Sequence, residues 1–158
     1  VVLVVVAGAL ATRREASAAD PVLTGVIALL AGLAAAGPVL LRRDGVAAAM
    51  VLLAYAAVYD TGAYVVGTGA DHAWEGAVAG ILSIGAVTLA VAAILVPPFR
   101  GASPWLLGGL AAVAAPAGPL VGSALLGDRR VAAPALRRLD SLLILGPLWA
   151  LVAALVLE

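Results

Sequence analysis

The sequence predicts an all-α fold, a polytopic membrane helix bundle of about six transmembrane helices with the first one truncated. Hydrophobic residues make up 65% of the 158 positions and charged residues 11%, whereas soluble domains carry about 45–50% apolar and about 25% charged residues. The mean hydropathy is +1.17. The apolar residues form long runs, several of them close to the roughly 20 residues that cross a bilayer.

Five of these runs are predicted to be membrane-spanning helices, separated by short polar or Gly- and Pro-containing segments. In chain order they cover residues 21–41, 46–59, 77–96, 104–126 and 141–157. The sequence allows the second helix to stop near Tyr59 or to continue to Val66. Small residues four apart, as in Gly76/Gly80 and Gly118/Gly122, predict close contacts between the helices.

A sixth apolar run, residues 1–11, is too short to span a bilayer alone. No initiator Met and no basic segment precede it, so we interpret it as a truncated helix rather than as a signal peptide. We therefore expect residues 1–158 to form a single membrane-embedded domain, the C-terminal part of a longer chain.

Charge and cysteine content exclude several classes of function. The formal net charge is zero, which gives no indication of a nucleic-acid partner. The chain has no Cys, so disulfides, thiolate metal sites and redox motifs are excluded. All nine basic residues are Arg, which excludes any mechanism that needs a lysine amine.

The distribution of Arg predicts which loops face the cytoplasm. Counted from the N-terminus, the first, third and fifth loops hold six Arg, and the second and fourth hold three. Because cytoplasmic loops carry the excess of basic residues, the odd-numbered loops are predicted to be cytoplasmic. We therefore expect a multi-pass protein of a bacterial-type inner membrane. The polar residues that then gather on its cytoplasmic side are Asp60, Asp71, His72, Glu75, Asp128 and Asp140.

Asp60 directly follows an apolar run, where a charge is costly and usually functional unless water reaches it. Asp60 and Tyr64 are four positions apart, so on a helix they share one face. Asp60 is equally compatible with the N-cap of a following turn. The local sequence leaves both interpretations open.

Two further polar clusters have ordinary structural explanations when each is taken alone. Trp74 is typical of a membrane interface, and Glu75 at the start of a span is favoured by the helix dipole. His72 has no second His to share a metal ion, which favours a solvated loop residue. Asp140 opens the last span and fits a helix cap, while the arginines before it follow the positive-inside rule.

Three segments carry more information together, because they occur in a particular order. They are Asp60-Thr61-Gly62-Ala63-Tyr64, then Trp74-Glu75-Gly76, then Leu136 and Arg138-Leu139-Asp140-Ser141-Leu142. In this order, and at the expected positions along the helices, they resemble the C-terminal half of phosphatidate cytidylyltransferases, also called CDP-diacylglycerol synthases. The resemblance extends from about Val46 to the C-terminus.

The resemblance implies a membrane nucleotidyltransferase of phospholipid biosynthesis. Such an enzyme transfers CMP from CTP to phosphatidate, giving CDP-diacylglycerol and pyrophosphate. It implies Mg²⁺ as cofactor and the lipid bilayer, phosphatidate and CTP as partners, and it leaves a homodimer open.

By the same resemblance, the candidate catalytic residues are Asp60, Glu75, Arg138 and Asp140, of which Asp60 and Asp140 are also the candidate Mg²⁺ ligands. The candidate substrate-binding residues are Thr61, Tyr64, Trp74, Arg129, Arg130 and Ser141. One or two carboxylates together with substrate phosphates commonly hold Mg²⁺, and an Arg can bind a phosphate through two parallel hydrogen bonds. We expect the four catalytic candidates to converge in one pocket at the cytoplasmic membrane boundary.

The sequence departs from the family pattern at four places. The family has Lys-Lys-Thr before the Trp-Glu-Gly segment, where this chain has Asp71-His72-Ala73. It has His-Gly-Gly before the last span, where this chain has Ala132-Ala133-Pro134. It has one acid in the preceding helix and another at the start of the last motif, where this chain has Gly122 or Ser123, and Arg137. Since a two-metal clamp needs several acids, the losses support a second function, that of a catalytically degenerate relative acting as a non-enzymatic membrane partner or scaffold. A small transporter is disfavoured, because transporters place their polar sites near the bilayer midplane.

Overall fold

The computed structural model describes residues 21–42, 45–72, 74–126 and 139–157, and these form helices joined by short turns. The helices are α1 Pro21–Leu41, α2 Val46–Gly67, α3 Trp74–Ile94, α4 Ser103–Leu126 and α5 Asp140–Val156. The described ranges contain no β-strand, so the predicted all-α fold is confirmed for them. The truncated helix predicted at residues 1–11 lies outside the described residues.

The observed helix boundaries follow the apolar runs closely, with one informative extension. α1 begins and ends where it was predicted, and α2 continues past Tyr59 to Gly67. The longer of the two predicted ends is therefore correct for α2. The residues after Asp60 are mostly apolar or small, so the helix continues through a single carboxylate without a break.

Within the described part of the chain, three helices are long and apolar enough to cross a membrane, namely α2, α3 and the Ser103–Ala124 part of α4. The Ala28–Leu41 part of α1 and the 17-residue α5 are apolar but shorter. Large apolar side chains cover the outside of the bundle, for example Leu82 at 68% exposure and Val113 at 73%. An exposed apolar surface of this kind suits contact with lipid, and these helices indicate a membrane protein.

α2 and α3 form an antiparallel hairpin whose backbones touch at glycines. A Cβ added at Gly76 would lie 2.6 Å from the carbonyl oxygen of Ala63, and one added at Gly80 would lie 2.8 Å from that of Tyr59. From the α2 side, a Cβ at Gly62 would lie 2.6 Å from Ser83 Oγ. Small residues permit this close approach. In lipid, burial of apolar surface does not favour helix association, so van der Waals contact between closely packed helices stabilises the pair instead.

α4 and α5 form the second hairpin, and α1 packs on its α5 side. Gly118 in α4 lies against the backbone of Asp140, and a Cβ there would lie 3.2 Å from the Cα of Ser141. A Cβ at Gly37 in α1 would lie 2.7 Å from the carbonyl oxygen of Gly146. The start of α5 is therefore fixed by direct backbone contact with α4.

The core between the hairpins is aromatic and has its polar atoms paired. The Trp149 indole is fully buried and donates its Nε1–H to the Leu107 carbonyl oxygen at 3.2 Å. The Tyr55 hydroxyl lies 3.1 Å from Thr88 Oγ1. Buried polar groups are stable only when they are hydrogen-bonded, so these contacts fix how α2, α3, α4 and α5 meet.

Two helix ends and two helix starts lie together at one end of the bundle, called here the Asp60 end. It holds the C-terminal ends of α2 and α4 and the starts of α3 and α5. The α2–α3 connection is tight, since a Cβ at Gly67 would lie 3.4 Å from the Cα of Gly76. The start of α5 is held at the same end by a hydrogen bond between Ser141 and Asp60.

Candidate functional site

Asp60 lies inside α2, about two turns before the helix ends at Gly67. The helix is continuous through this position, so Asp60 is not an N-cap, and the interpretation that places it on a helix face is correct. Tyr64, one turn further on, lines the same cleft as Asp60.

Ser141 brings the last motif segment to Asp60. Its Oγ donates a hydrogen bond to Asp60 Oδ2 at 3.0 Å, across a separation of 81 residues. Ser141 is only 2% exposed, whereas Asp60 is exposed. The hydroxyl therefore acts from within the packed wall on a carboxylate that reaches solvent.

Asp140 is the residue before Ser141 and the first residue of α5. Leu139 occupies the N-cap position, so Asp140 lies in the first turn, where a negative charge interacts favourably with the helix dipole. Its carboxylate lies against Gly122 of α4, where a Cβ would stand 2.9 Å from Oδ1 and 3.3 Å from Cγ. The Asp140 side chain thus uses space that the glycine leaves.

A cleft of about 610 Å³ opens beside Asp60 between α2, α3 and α4. Its walls are mainly apolar or aromatic, and they include Tyr59, Tyr64, Gly76, Pro116 and Leu120. Asp60 is the charged residue among the described residues of this wall. Ligand sites are commonly concave and mostly apolar, with a few polar groups that orient the ligand, and their volumes are about 300–1,000 Å³.

Glu75 does not join Asp60 in the structure, because its carboxylate is used at the start of α3. Glu75 Oε1 accepts the backbone N–H of His72 at 3.2 Å and lies 3.0 Å from His72 Nδ1. The Glu75 backbone N–H in turn bonds the His72 carbonyl oxygen. The bond from the His72 N–H to the Glu75 side chain is one half of a capping box, in which a Glu or Gln side chain accepts the N-cap N–H.

The remaining sequence-predicted residues lie at the edge of the Asp60 end or beyond the described residues. Thr61 is exposed, and Trp74 is 61% exposed with its ring centroid 6.1 Å from that of His72. The residues that fall outside the described part of the chain are Arg129, Arg130 and Arg138.

The metal ligands that the sequence predicts are two carboxylates, those of Asp60 and Asp140. Among residues 21–42, 45–72, 74–126 and 139–157, no three His, Asp or Glu side chains form a group that could hold a metal ion. The segments that carry Asp60 and Asp140 do meet, through Ser141. Two carboxylates fit a Mg²⁺ that arrives with a nucleotide and keeps phosphate and water ligands.

Sequence reasoning missed the apolar half of the cleft. Tyr59 and Pro116 line it, yet both read as ordinary packing residues in apolar runs. The sequence gives Gly122 or Ser123 where the resembled family has an acid, and the structure puts Gly122 against the Asp140 carboxylate.

The chain matches no protein-family model, no curated protein and no solved structure.

Proposed function

We propose that this chain is a phosphatidate cytidylyltransferase-like membrane nucleotidyltransferase, transferring CMP from CTP to phosphatidate in phospholipid synthesis. The observation that carries the proposal is the 3.0 Å hydrogen bond from Ser141 to Asp60. It joins two of the three motif segments of the resemblance, which are far apart in sequence. It does so beside a cleft in the helices that are long enough to cross a membrane.

We also propose the finer architecture that this function needs. The chain forms a bundle of about six transmembrane helices. It sits in a bacterial-type inner membrane with the Asp60 end on the cytoplasmic side. The odd-numbered loops hold six Arg and the even-numbered loops three, which supports that orientation. CTP is also a cytosolic substrate.

The acidic residues have separate roles in this proposal. Asp60 and Asp140 would hold Mg²⁺, which when bound would neutralise charge on the CTP phosphates. Asp60 presents its carboxylate to the cleft, and Asp140 contributes from the first turn of α5. Glu75 fixes the start of α3 through His72 rather than touching substrate.

The other predicted residues are assigned to substrate binding. Arg138, with Arg129 and Arg130, binds phosphate groups, for which the paired N–H donors of a guanidinium are suited. Tyr64 lies on the cleft wall where a lipid substrate meets the membrane. Thr61 and Trp74 are exposed at the same end and flank the entrance.

The test is formation of CDP-diacylglycerol by the purified full chain from labelled CTP, phosphatidate in mixed micelles, and Mg²⁺. Asp60→Asn and Asp140→Asn should each lower the rate by about 100-fold or more, because even residues that only orient metal ligands cost about 10–100-fold when removed. Asp71→Asn is the matched control, since Asp71 is an exposed loop acid at the same end. Absence of product from the unmodified chain, or full activity of Asp60→Asn, would contradict the proposal.

A catalytically degenerate relative, acting as a non-enzymatic membrane partner or scaffold, is the second candidate function. The observation that favours it is the contact of Gly122 with the Asp140 carboxylate, since either Gly122 or Ser123 stands where the resembled family has an acid. This candidate predicts no CDP-lipid from the unmodified chain under any Mg²⁺ concentration, although the fold remains intact by circular dichroism. Product from the unmodified chain would rule it out.

A further inference from the structure

Ser141 is chemically unsuited to the substrate contact that the resemblance implies for it. It is 2% exposed, so a ligand in the cleft does not reach its side chain. A serine hydroxyl has a single hydrogen to donate, and that hydrogen is given to Asp60 Oδ2. Its only described polar contact is therefore with another residue of the protein.

The backbone that carries Ser141 is held firmly. Gly118 of α4 packs directly on the carbonyl oxygen of Asp140 and against the Cα of Ser141. This backbone contact fixes the first turn of α5 on α4. The position of the Ser141 hydroxyl is thus set by the crossing of two helices and not by a mobile side chain.

Among the described residues, by contrast, Ser141 is the one that holds the Asp60 carboxylate through a side-chain hydrogen bond. Asp60 is exposed to the cleft, and an exposed side chain otherwise retains its rotamer freedom. The backbone beneath it is fixed, because α2 packs on α3 at Gly76 and Gly80. The Ser141–Asp60 bond therefore links the α2–α3 hairpin to the α4–α5 hairpin at the point where the carboxylate is used.

We propose that Ser141 is a positioning residue, which holds the Asp60 carboxylate in a fixed orientation relative to the neighbouring Asp140. This inference rests on the proposed function and assigns Ser141 to the protein side of the site instead of to substrate binding. Groups that hydrogen-bond metal-binding carboxylates orient them and raise their affinity for the metal. Ser141 is also the residue that directly follows Asp140, the second candidate ligand, in the sequence.

The first test needs neither CTP nor metal. Thermal unfolding of the full chain in detergent is measured for Ser141→Ala, Asp60→Ala and the double variant. We expect Ser141→Ala to lower the Tm of the unmodified chain and to have almost no effect in the Asp60→Ala background, because the partner is already gone. Equal shifts in both backgrounds would overturn the proposal.

A matched control separates the bond from the loss of any buried hydroxyl. Ser83→Ala removes a part-buried hydroxyl that bonds Ala79 within its own helix, so its Tm shift should be the same with and without Asp60. If Ser141→Ala fails to fold, Ser141→Cys keeps a side chain of similar shape with a much weaker donor and serves in the same cycle.

The second test uses activity and distinguishes positioning from folding. Ser141→Ala should raise the Mg²⁺ concentration for half-maximal CDP-lipid formation by about tenfold. A lower kcat with unchanged Mg²⁺ half-saturation would show a merely structural role and overturn the proposal. If the unmodified chain makes no product, the proposed function fails, and the thermal cycle still decides whether Ser141 fixes Asp60.

Discussion

At the residue scale, the carboxylate of Asp140 lies directly against Gly122, where a Cβ would stand 2.9 Å from Oδ1. The atom that a new side chain would meet is the end of a side chain and not backbone, so a small shift of Asp140 makes room. An acid at position 122 would then lie beside Asp140. It would add a second carboxylate next to that of Asp140, and a two-metal clamp uses several such acids.

Gly122→Asp should therefore increase the affinity of the chain for Mg²⁺. Because binding to the native state alone raises stability, we expect a larger Mg²⁺-induced rise in Tm for this variant than for the unmodified chain. Gly122→Asn is the matched control, with the same size and no charge. An equal rise for both variants would show that no metal is held between positions 122 and 140.

Glu75 offers a second prediction at the residue scale, based on its bonds to His72. Glu75→Ala should destabilise the chain by about 0.5–2 kcal/mol, the usual cost of losing a helix cap. Glu75→Gln should be close to neutral, because Gln also serves in a capping box. Thermal or denaturant unfolding in detergent measures both, and a large loss for Glu75→Gln would show that the charge has another use.

At the scale of elements, α2 and α3 are held together by backbone contact at small residues. Gly80 lies against Tyr59, with 2.8 Å between an added Cβ and the Tyr59 carbonyl oxygen. That carbonyl is backbone and cannot rotate away. The hairpin, and with it the side of the cleft that carries Asp60, depends on the absence of a side chain at this position.

Gly80→Leu should therefore push the two helices apart and cost about 1–3 kcal/mol or more, as overpacking does in close-packed sites. Gly85→Leu is the matched control on the same helix, since a Cβ there meets nothing within 4 Å. It should be neutral or slightly stabilising, because Leu favours helix more than Gly does. Thermal unfolding in detergent compares the two, and equal losses would contradict this packing.

At the scale of the whole molecule, the α2–α3 connection and the start of α5 lie at the same end of the bundle. Loops at one end of a helix bundle face the same side of the membrane. The Arg distribution predicts that this side is cytoplasmic, which is the orientation that we propose. Both halves of the proposed site then have access to the same pool of nucleotide.

Cysteine labelling tests this orientation, and the chain has no Cys of its own to interfere. Ala70→Cys and Ala132→Cys should react with a membrane-impermeant thiol reagent only after the cells are opened. Ala102→Cys, exposed in the turn before α4 at the opposite end, should react in intact cells. Labelling of position 70 or 132 from outside would reverse the orientation.

The positions and approximate boundaries of the helices could be predicted from the sequence alone. The bounds of α1 follow from an apolar run with polar residues at both ends, and α5 begins within one residue of its predicted start. The glycine pairs at 76/80 and 118/122 announced close helix contacts, which the structure shows. These features depend on residues within a few turns of one another, so hydropathy and spacing contain the information.

Which polar side chains contact one another could not be predicted from the sequence and is seen in the folded structure. The convergence of Asp60, Glu75, Arg138 and Asp140 was an expectation from motif order; Arg138 lies outside the described residues, and Glu75 bonds His72 locally. Asp60 meets Ser141 because the crossings of α2, α4 and α5 set their rotation and depth over 81 residues of chain. Those crossings arise from many small backbone contacts acting together, and no local pattern records their sum.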